Sequence, residues 1–269
     1  MNIFISTNLY ESEQLEELFA LMDKIGDQSV GVEVFPEWQS EVFYRKLADY
    51  MKHFQKYLIS LHGPYYYTEH SKAEGTVEYI RSTEYFRQTL ELSKRLKSRY
   101  IVYHHNNCRV EAGSKQQMMK VAAENLAELR RQAEHYGAKL VVENAGVLAR
   151  GNMLFNEDEF LEMAESIPDD ILLDIGHAHA NGWDISRVMK KLAHKIVAYH
   201  VHNNDGYEDK HNRILDGTLD FDQFMFLYRQ YTPQADIVVE YGKQCSQDLD
   251  AIVKDVEYIK KCLNYRLAV

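Results

Sequence analysis

Six successive apolar runs of this sequence finish on, or next to, acids and imidazoles. In ILLDIGHAHANGWD (171–184) the run stops at Asp174, and His177 and His179 follow. YLISLH ends in His62, YIVYHH in His104 and His105, and LVVENA carries Glu143. IVAYHVH carries His200 and His202, DIVVEYG carries Glu240, and between those two runs EDKH supplies Asp209 and His211. Carboxylate oxygens and neutral imidazole nitrogens are ligands for divalent cations. Gathered in a half-buried place without a counter-charge they are costly, and a cation relieves the cost. One such histidine alone is more often a hydrogen-bonded core residue, and one such acid a helix N-cap. The succession of six points instead to a shared ion, with Asp174 and His177 among its holders. His179 and His200 stand between two roles, ligand or donor that orients a ligand. His53, His70, His135 and His194 fall in helical or loop contexts and are expected at the surface.

Such side chains meet only if the runs converge. The segments 2–7, 30–35, 57–62, 100–105, 140–145, 171–176, 196–202 and 236–242 have the length and β-branched content of strands, and their continuous apolarity suits burial on both faces. Helical periodicity fills 11–25, 39–55, 73–97, 114–136, 156–166, 184–194, 221–231 and 246–264. In 114–136 the stripe is Met119, Ala122, Leu126, Leu129 and Ala133; in 73–97 a looser one runs through Val77, Ile80, Leu90, Leu92 and Leu96. Ser114 and Asp220 are the expected N-caps of their helices. Strand and helix alternating eight times predict one α/β domain over 1–269, a single (β/α)8 TIM barrel. A doubly wound sheet would want a glycine-rich phosphate loop after its first strand, and STNLYES has no glycine. Barrel chemistry sits at the C-terminal ends of the strands. Side chains two apart share a face, so Ala198, His200 and His202 point inward if Val197, Tyr199 and Val201 meet the helices. By the same count Glu143 goes with Val141 and Glu240 with Val238.

Composition narrows the partners. Hydrophobic residues make up 45% and charged residues 27%, as in ordinary soluble domains. The net charge of −10 weighs against nucleic acid, because phosphate contacts supply most non-specific affinity. The three cysteines, 108, 245 and 262, lack metal-ligand spacing and read as reduced thiols. No basic leader precedes MNIFISTNLYESEQ, and no run reaches the length of a membrane span. The expectation is a cytoplasmic protein with no membrane partner.

In this order ENAG, LLDIGHAHANG, HVHNNDG and DKHNRILDGTLDF resemble the xylose-isomerase-like TIM barrels, which include sugar (phosphate) isomerases and epimerases and endonuclease IV. The resemblance covers nearly the whole chain. Its isomerase branch implies one divalent metal on Glu143, Asp174, His202 and Glu240. Its endonuclease branch implies three zinc ions, with His62, His104, His177, Asp209 and His211 as further ligands. HGPY also places Tyr65 where that enzyme has a DNA-facing tyrosine. Departures cut against DNA repair: HHNN stands where the repair enzymes favour His-Pro-Gly, the span from His202 to Asp209 is shorter, and basic duplex-gripping loops are not evident.

The expected activity is therefore metal-dependent isomerisation or epimerisation of a small sugar, ketose or sugar phosphate. Glu143 and Glu240 exchange the proton, and His177 polarises the carbonyl. Tyr65 or Trp183 walls one side. Glu33, in VEVFPEW, either binds a substrate hydroxyl or closes the barrel as a structural carboxylate. The cofactor is one to three divalent ions: the carboxylates suit Mn or Mg, and the histidines favour Zn. The rival activity is an endonuclease IV-like zinc phosphodiesterase on abasic DNA or a small phosphoester. Arg109, Arg150, Lys210 and Arg213 are the cations available for a phosphate.

Overall fold

The computed structural model describes residues 1–264. Its strands are β1 (Ile3–Ser6), β2 (Gly31–Val34), β3 (Ile59–Leu61), β4 (Ile101–Tyr103), β5 (Leu140–Glu143), β6 (Asp170–Asp174), β7 (Ile196–Val201) and β8 (Asp236–Val239). All are parallel, each pairs with the next, and β8 pairs with β1 to close a barrel. Around them run α1 (Glu17–Ile25), α2 (Glu41–Phe54), α3 (Val77–Leu96), α4 (Lys115–Tyr136), α5 (Glu157–Ser166), α6 (Ile175–Ala180), α7 (Ile185–Lys191), α8 (Phe221–Tyr231) and α9 (Leu249–Asn264). This is the (β/α)8 barrel that the alternation of runs predicts. No described helix is long and apolar enough to cross a membrane.

The pleat divides the apolar residues as the alternation requires. Outward, Tyr199 packs its ring on Phe224 and Tyr228 of α8, with centroids 5.1 and 5.8 Å away. Inward, Tyr100, Val102, Val141, Leu172 and Ala198 form a separate buried cluster that plugs the barrel. Full burial of each aliphatic side chain larger than alanine contributes about 1.5–3 kcal/mol. Below the plug, Asp236 accepts hydrogen bonds from the backbone N and Nδ2 of Asn2, both 2.8 Å away, and from Arg99 Nε at 3.0 Å. One carboxylate thereby ties β8 to the chain ahead of β1 and β4.

Several local expectations are corrected. Asp220 caps α8 through Gln223 N, but Ser114 makes no cap: its hydroxyl donates to Glu111 O at 3.1 Å. Val77 and Ile80 are 72% and 60% exposed, so the buried stripe of α3 begins further on, at Ser82 and Phe86. In α4 Met118, not Met119, is buried. His70 is buried against Tyr103, with centroids 4.9 Å apart, and burial lowers its pKa to about 3. A six-residue helix, α6, follows β6 directly. IGHAHA has no apolar periodicity to announce it; Asp174 starts it by accepting from His177 N at 2.6 Å.

Candidate metal centre

Six of the nine expected ligands sit on the last residue of a strand or the first residue beyond. Glu143 and Asp174 close β5 and β6; His62, His104, His202 and Glu240 follow β3, β4, β7 and β8 by one residue. His177 lies in the first turn of α6, and Asp209 and His211 lie in the loop after β7. That loop is held by two amides. Asn203 donates to the carbonyls of Ile214 (2.8 Å) and Leu219 (3.1 Å), and Asn204 donates to Gly176 O at 2.9 Å. Asn144 ties the end of β5 to that of β6, accepting from Asp174 N at 2.7 Å and donating to Asp174 O at 2.9 Å. Gly176 is required by the packing: a Cβ there would lie 2.0 Å from the ring of His202.

The side chains converge over β5 to β8. Glu143 Oε2 lies 2.9 Å from His104 Nε2, 3.3 Å from His200 Nδ1 and 3.9 Å from His62 Nε2, while Oε1 is 3.2 Å from His177 Nδ1. Asp174 Oδ2 is 3.1 Å from His202 Nε2 and 3.8 Å from His200 Nδ1. Glu240 Oε2 is 3.3 Å from that same His200 nitrogen. Asp209 is 3.1 Å from His211 Nε2 and 3.4 Å from His177 Nε2. Five overlapping donor groups result: His62–His104–Glu143, His62–His200–Glu240, Glu143–Asp174–His200, Asp174–His202–Glu240, and His177–His202–Asp209–His211. Beside them lies a cavity of about 170 Å³, walled on one side by Phe35, Tyr65 and Tyr66.

The outer hydrogen bonds fix which imidazole nitrogens look inward. His62 Nδ1 donates to Gly63 O at 2.7 Å and His211 Nδ1 to Glu240 O at 2.9 Å, leaving their Nε2 lone pairs directed at the carboxylates. His104 Nδ1 meets Asn107 Oδ1 at 2.9 Å. His200 is turned the other way, with Nε2 2.9 Å from Glu33 Oε1 and Nδ1 inward. An imidazole pinned by an outer acceptor is the arrangement metal ligands adopt.

Burial disfavours charge at every one of these groups, and neighbouring charges decide the outcome. Burial and the charge of His104 hold His62 well below the usual histidine range. Burial lowers His104 too, but the charge and hydrogen bond of Glu143 outweigh it. At His177 the burial penalty is overcome by Asp174 and Asp209, and at His200 by Glu240, Glu33 and Glu143, so both end well above the usual range. Burial raises every carboxylate. At Glu143 the charges of His104 and His200 reverse this, and at Asp174 those of His177 and His202 bring it to about 2. Glu240 stays raised, at about 7.

These donors fit a divalent cation on an observation independent of ligand spacing. Glu143 Oε1, His177 Nδ1, His200 Nδ1, His202 Nδ1 and Asp209 Oδ1 are buried and have no hydrogen-bond partner. Buried polar atoms are otherwise nearly always paired. Most of these face a common centre, and one cation satisfies several at once. The chain's residues 19–262 also match the family model described as xylose isomerase-like TIM barrel. The chain belongs to that family.

Two Methanocaldococcus jannaschii relatives, the uncharacterised proteins MJ1311 and MJ1614, are 29% identical over 143 residues and 25% identical over 179 residues. These matches cover 51% and 66% of this chain, and 47% and 68% of the relatives, so the chain matches about half the length of the first. Among solved structures, a D-tagatose 3-epimerase-like protein superposes with TM-score 0.76 at 21% identity, covering 97% of this chain and 99% of its own. The IOLI protein with a bound zinc atom gives 0.78 at 16% identity over the whole of both chains. An L-ribulose 3-epimerase gives 0.71 at 19% identity, covering 98% of this chain and 95% of its own. At these identities the likeness is one of fold.

Within this barrel the remaining expectations separate. Tyr65 lines the cavity, with its ring 5.8 Å from that of His104. Trp183 does not; it packs on Phe160 at 5.5 Å in the helical layer. Glu33 is buried beneath the ligands and does not line the cavity, and its partners are His200 and Ser60. His179 contacts Thr218 at 2.8 Å, away from the carboxylates. Of the four cations available for a phosphate, Arg150 pairs with Asp209, Lys210 with Asp205, and Arg213 with Asp255, while Arg109 lies against Gly151. Sequence reasoning left His200 undecided and gave no role to Asn144, Asn203 or Asn204. Their signal was present in ENAG and HVHNNDG, where amides adjoin ligands.

Proposed function

We propose that the chain is a divalent-metal-dependent isomerase or epimerase of a small sugar, ketose or sugar phosphate. The observation that carries this is the placing of Glu143 and Glu240, each 3.3 Å from the one nitrogen of His200, beside a cavity of about 170 Å³. When bound, a divalent cation supplies the positive charge that favours removal of a proton from a carbon next to a carbonyl. Glu143, Asp174, His200, His202 and Glu240 would hold it, with His62, His104, His177, Asp209 and His211 around them.

The two glutamates then divide the proton work. Imidazoles keep Glu143 ionised, and a bound cation would favour the ionised form of Glu240 as well, so either carboxylate can accept the proton on its side of the substrate and the protonated one can return it. His177 stands at the cavity beside Glu143 and Asp209 and donates toward a carbonyl oxygen. Phe35, Tyr65 and Tyr66 exclude water from one side and present a flat surface to a sugar face. Ketoses supplied in D2O with Mn2+, Mg2+ or Zn2+ should gain deuterium on the carbon beside the carbonyl. If no ketose or ketose phosphate in a broad panel exchanges with any of these ions, the reaction assignment fails.

One observation favours the second reading, a phosphodiesterase. His62 and His104 adjoin Glu143 on one side, and His177, Asp209 and His211 adjoin it on the other, enough donors for more than one ion. A multinuclear centre activates water against a phosphoester. Metal analysis giving two or three zinc ions per chain, together with incision of an abasic duplex, would put this reading first.

A further inference from the structure

Among the described residues that line the mouth cavity, Arg150 is the only lysine or arginine. It stands at the rim, half exposed, whereas Glu143 and Glu240 are buried at the strand ends. The loop that carries it is braced on two sides. Asn181, just past α6, donates to Gly146 O at 2.9 Å and accepts from Leu148 N at 2.8 Å, and Gly151 O accepts from Val110 N at 2.7 Å. Asn152 closes the turn: its Oδ1 accepts from Val147 N at 2.9 Å and its carbonyl from Asn106 Nδ2 at 3.0 Å. Gly146 permits that closure, with φ of 86° and only 2.5 Å between the place of a Cβ and Asn152 O. A cation on so fixed a loop loses little freedom on meeting a ligand. The rim also holds donors without acceptors. A guanidinium has five N–H groups, and Arg150 engages only Asp209, with Nη1 3.1 Å from Oδ2 and Nη2 donating to the carbonyl O at 2.7 Å. Asn152 is 8% exposed and lines the cavity; with Oδ1 committed to Val147, its Nδ2 has no acceptor among the described residues. The Tyr65 hydroxyl lacks one too; burial pushes it up, and the Arg150 guanidinium is the charge that most opposes this. Buried donors without acceptors call for a ligand that brings acceptor oxygens.

We propose that Arg150, Asn152 Nδ2 and the Tyr65 hydroxyl form a phosphate subsite, so that the substrate is a phosphorylated ketose that enters carbonyl first and leaves its phosphate at the rim. This rests on the reading of the cavity as a sugar isomerase or epimerase site and narrows its substrate class. A phosphate monoester brings three strong acceptor oxygens and about two negative charges at neutral pH, and a planar guanidinium matches two of those oxygens at once. A carboxylate has two oxygens in one plane and would leave one of the three donor side chains idle. Asp209 orients the guanidinium and leaves its remaining N–H groups for the ligand. The strand ends, crowded with Glu143 and Glu240, repel an anion, which sets the direction in which the substrate lies.

The test is ligand binding to Mn2+-loaded protein by titration calorimetry, with three forms of one ketose: D-fructose, D-fructose 6-phosphate and the terminal carboxylate D-fructuronate. D-ribulose and D-ribulose 5-phosphate provide a shorter pair. Each phosphate should bind at least about 10-fold more tightly than its free ketose, and fructuronate should fall between. Arg150→Gln should weaken the phosphates by about 10–100-fold and the free ketoses by less than about twofold. Arg150→Lys, which keeps the charge and loses the planar fork, should fall between, and Tyr65→Phe should cost a few-fold on the phosphates alone. The ratio of phosphate to free ketose separates this contact from the hold of Arg150 on Asp209, whose loss would weaken both forms alike. Equal losses on both forms therefore overturn the proposal. So does fructuronate binding more tightly than fructose 6-phosphate, or a phosphate preference that survives Arg150→Gln, which would put the phosphate on the ions. If Arg150→Gln fails to fold, Arg150→Lys and Tyr65→Phe decide. Phosphorylated ketoses that bind through Arg150 without carbon-proton exchange overturn the isomerase reading alone. Free and phosphorylated ketoses that exchange deuterium at equal KM overturn the subsite alone, and a protein that neither binds nor exchanges any of them overturns both.

Discussion

The two ends of the barrel treat buried charge in opposite ways. At the N-terminal end Asp236 is buried and has donors on both oxygens, two from Asn2 and one from Arg99. A cleft of about 530 Å³ opens there, larger than the mouth cavity, but its cations are taken: Arg99 by Asp236 and Lys139 by Asp170. At the C-terminal end three carboxylates, Glu143, Asp174 and Glu240, compete for the single nitrogen of His200. The fold and the degree of burial are the same, so cavity size does not mark the end that gathers the ligand-type residues. Buried carboxylate and imidazole atoms without a partner do: among the described residues they lie at the C-terminal end, whereas the unpaired atom of a residue lining the N-terminal cleft is the uncharged hydroxyl of Tyr100.

That contrast is broken first by removing the acid that touches most imidazoles. Glu143→Gln should lower deuterium exchange at least about 10³-fold, through loss of both proton transfer and ion binding, while leaving the fold intact by circular dichroism. An activity within tenfold of wild type would return Glu143 to the role of a structural acid. Next comes the stability of the ion-stripped chain. Burial raises Glu240 from 4.5 to about 7, so folding opposes its ionisation. The stability associated with its protonated form is full below pH 4.5 and is lost as the pH rises through 7. Glu240→Gln should therefore raise stability at pH 8 by on the order of 3 kcal/mol when the ion is chelated, and hardly at all at pH 4. Denaturant melts at the two pH values check this, and saturating Zn2+ should reverse the ranking of wild type and variant.

The N-terminal end should respond in the opposite sense. Asp236→Asn removes charge from a fully paired carboxylate and should destabilise the chain by about 2 kcal/mol, with metal affinity unchanged. If it instead stabilised the stripped protein, as Glu240→Gln is expected to, the two ends would not differ in kind.

Legibility in the sequence followed the same division. Seven of the eight strands lie within the runs marked by β-branched residues, because burial on both faces writes itself as continuous apolarity; β6 begins one residue ahead of its run, at Asp170. Strand period alone turned His200 and His202 inward. Where the reading failed, a contact across the fold overrode a local pattern. Trp183 looked like a mouth residue by its place after Asp174, yet Phe160 of α5 claims it. His70 looked like a loop histidine, yet Tyr103 of β4 and Phe86 of α3 enclose it. Glu33 could be placed at a strand end but not at a depth, since depth depends on which strands are neighbours and in what register. The amides Asn144, Asn203 and Asn204 carried no signal of their own type; only their adjacency to ligands marked them.

Backbone strain gives the smallest test of the comparison. Lys97 and His211 both adopt left-handed backbone, with φ of 54° and 47°, a conformation that costs a non-glycine residue about 1 kcal/mol or more. Lys97 caps the C-terminus of α3, at the N-terminal end of the barrel, where glycine is the usual occupant. His211 lies at the mouth, held there by Glu240 O and Asp209. Lys97→Gly should stabilise the chain by roughly 0.5–1 kcal/mol and leave Mn2+ affinity alone. His211→Gly relieves the same strain, but it removes an imidazole from the group around Asp209, so its gain in the stripped protein should come with weaker Zn2+ binding. Equal effects of the two substitutions on Zn2+ affinity would mean that the strained backbone at His211 serves only the turn. A loss confined to His211→Gly would mean that the strain is kept because it aims a ligand.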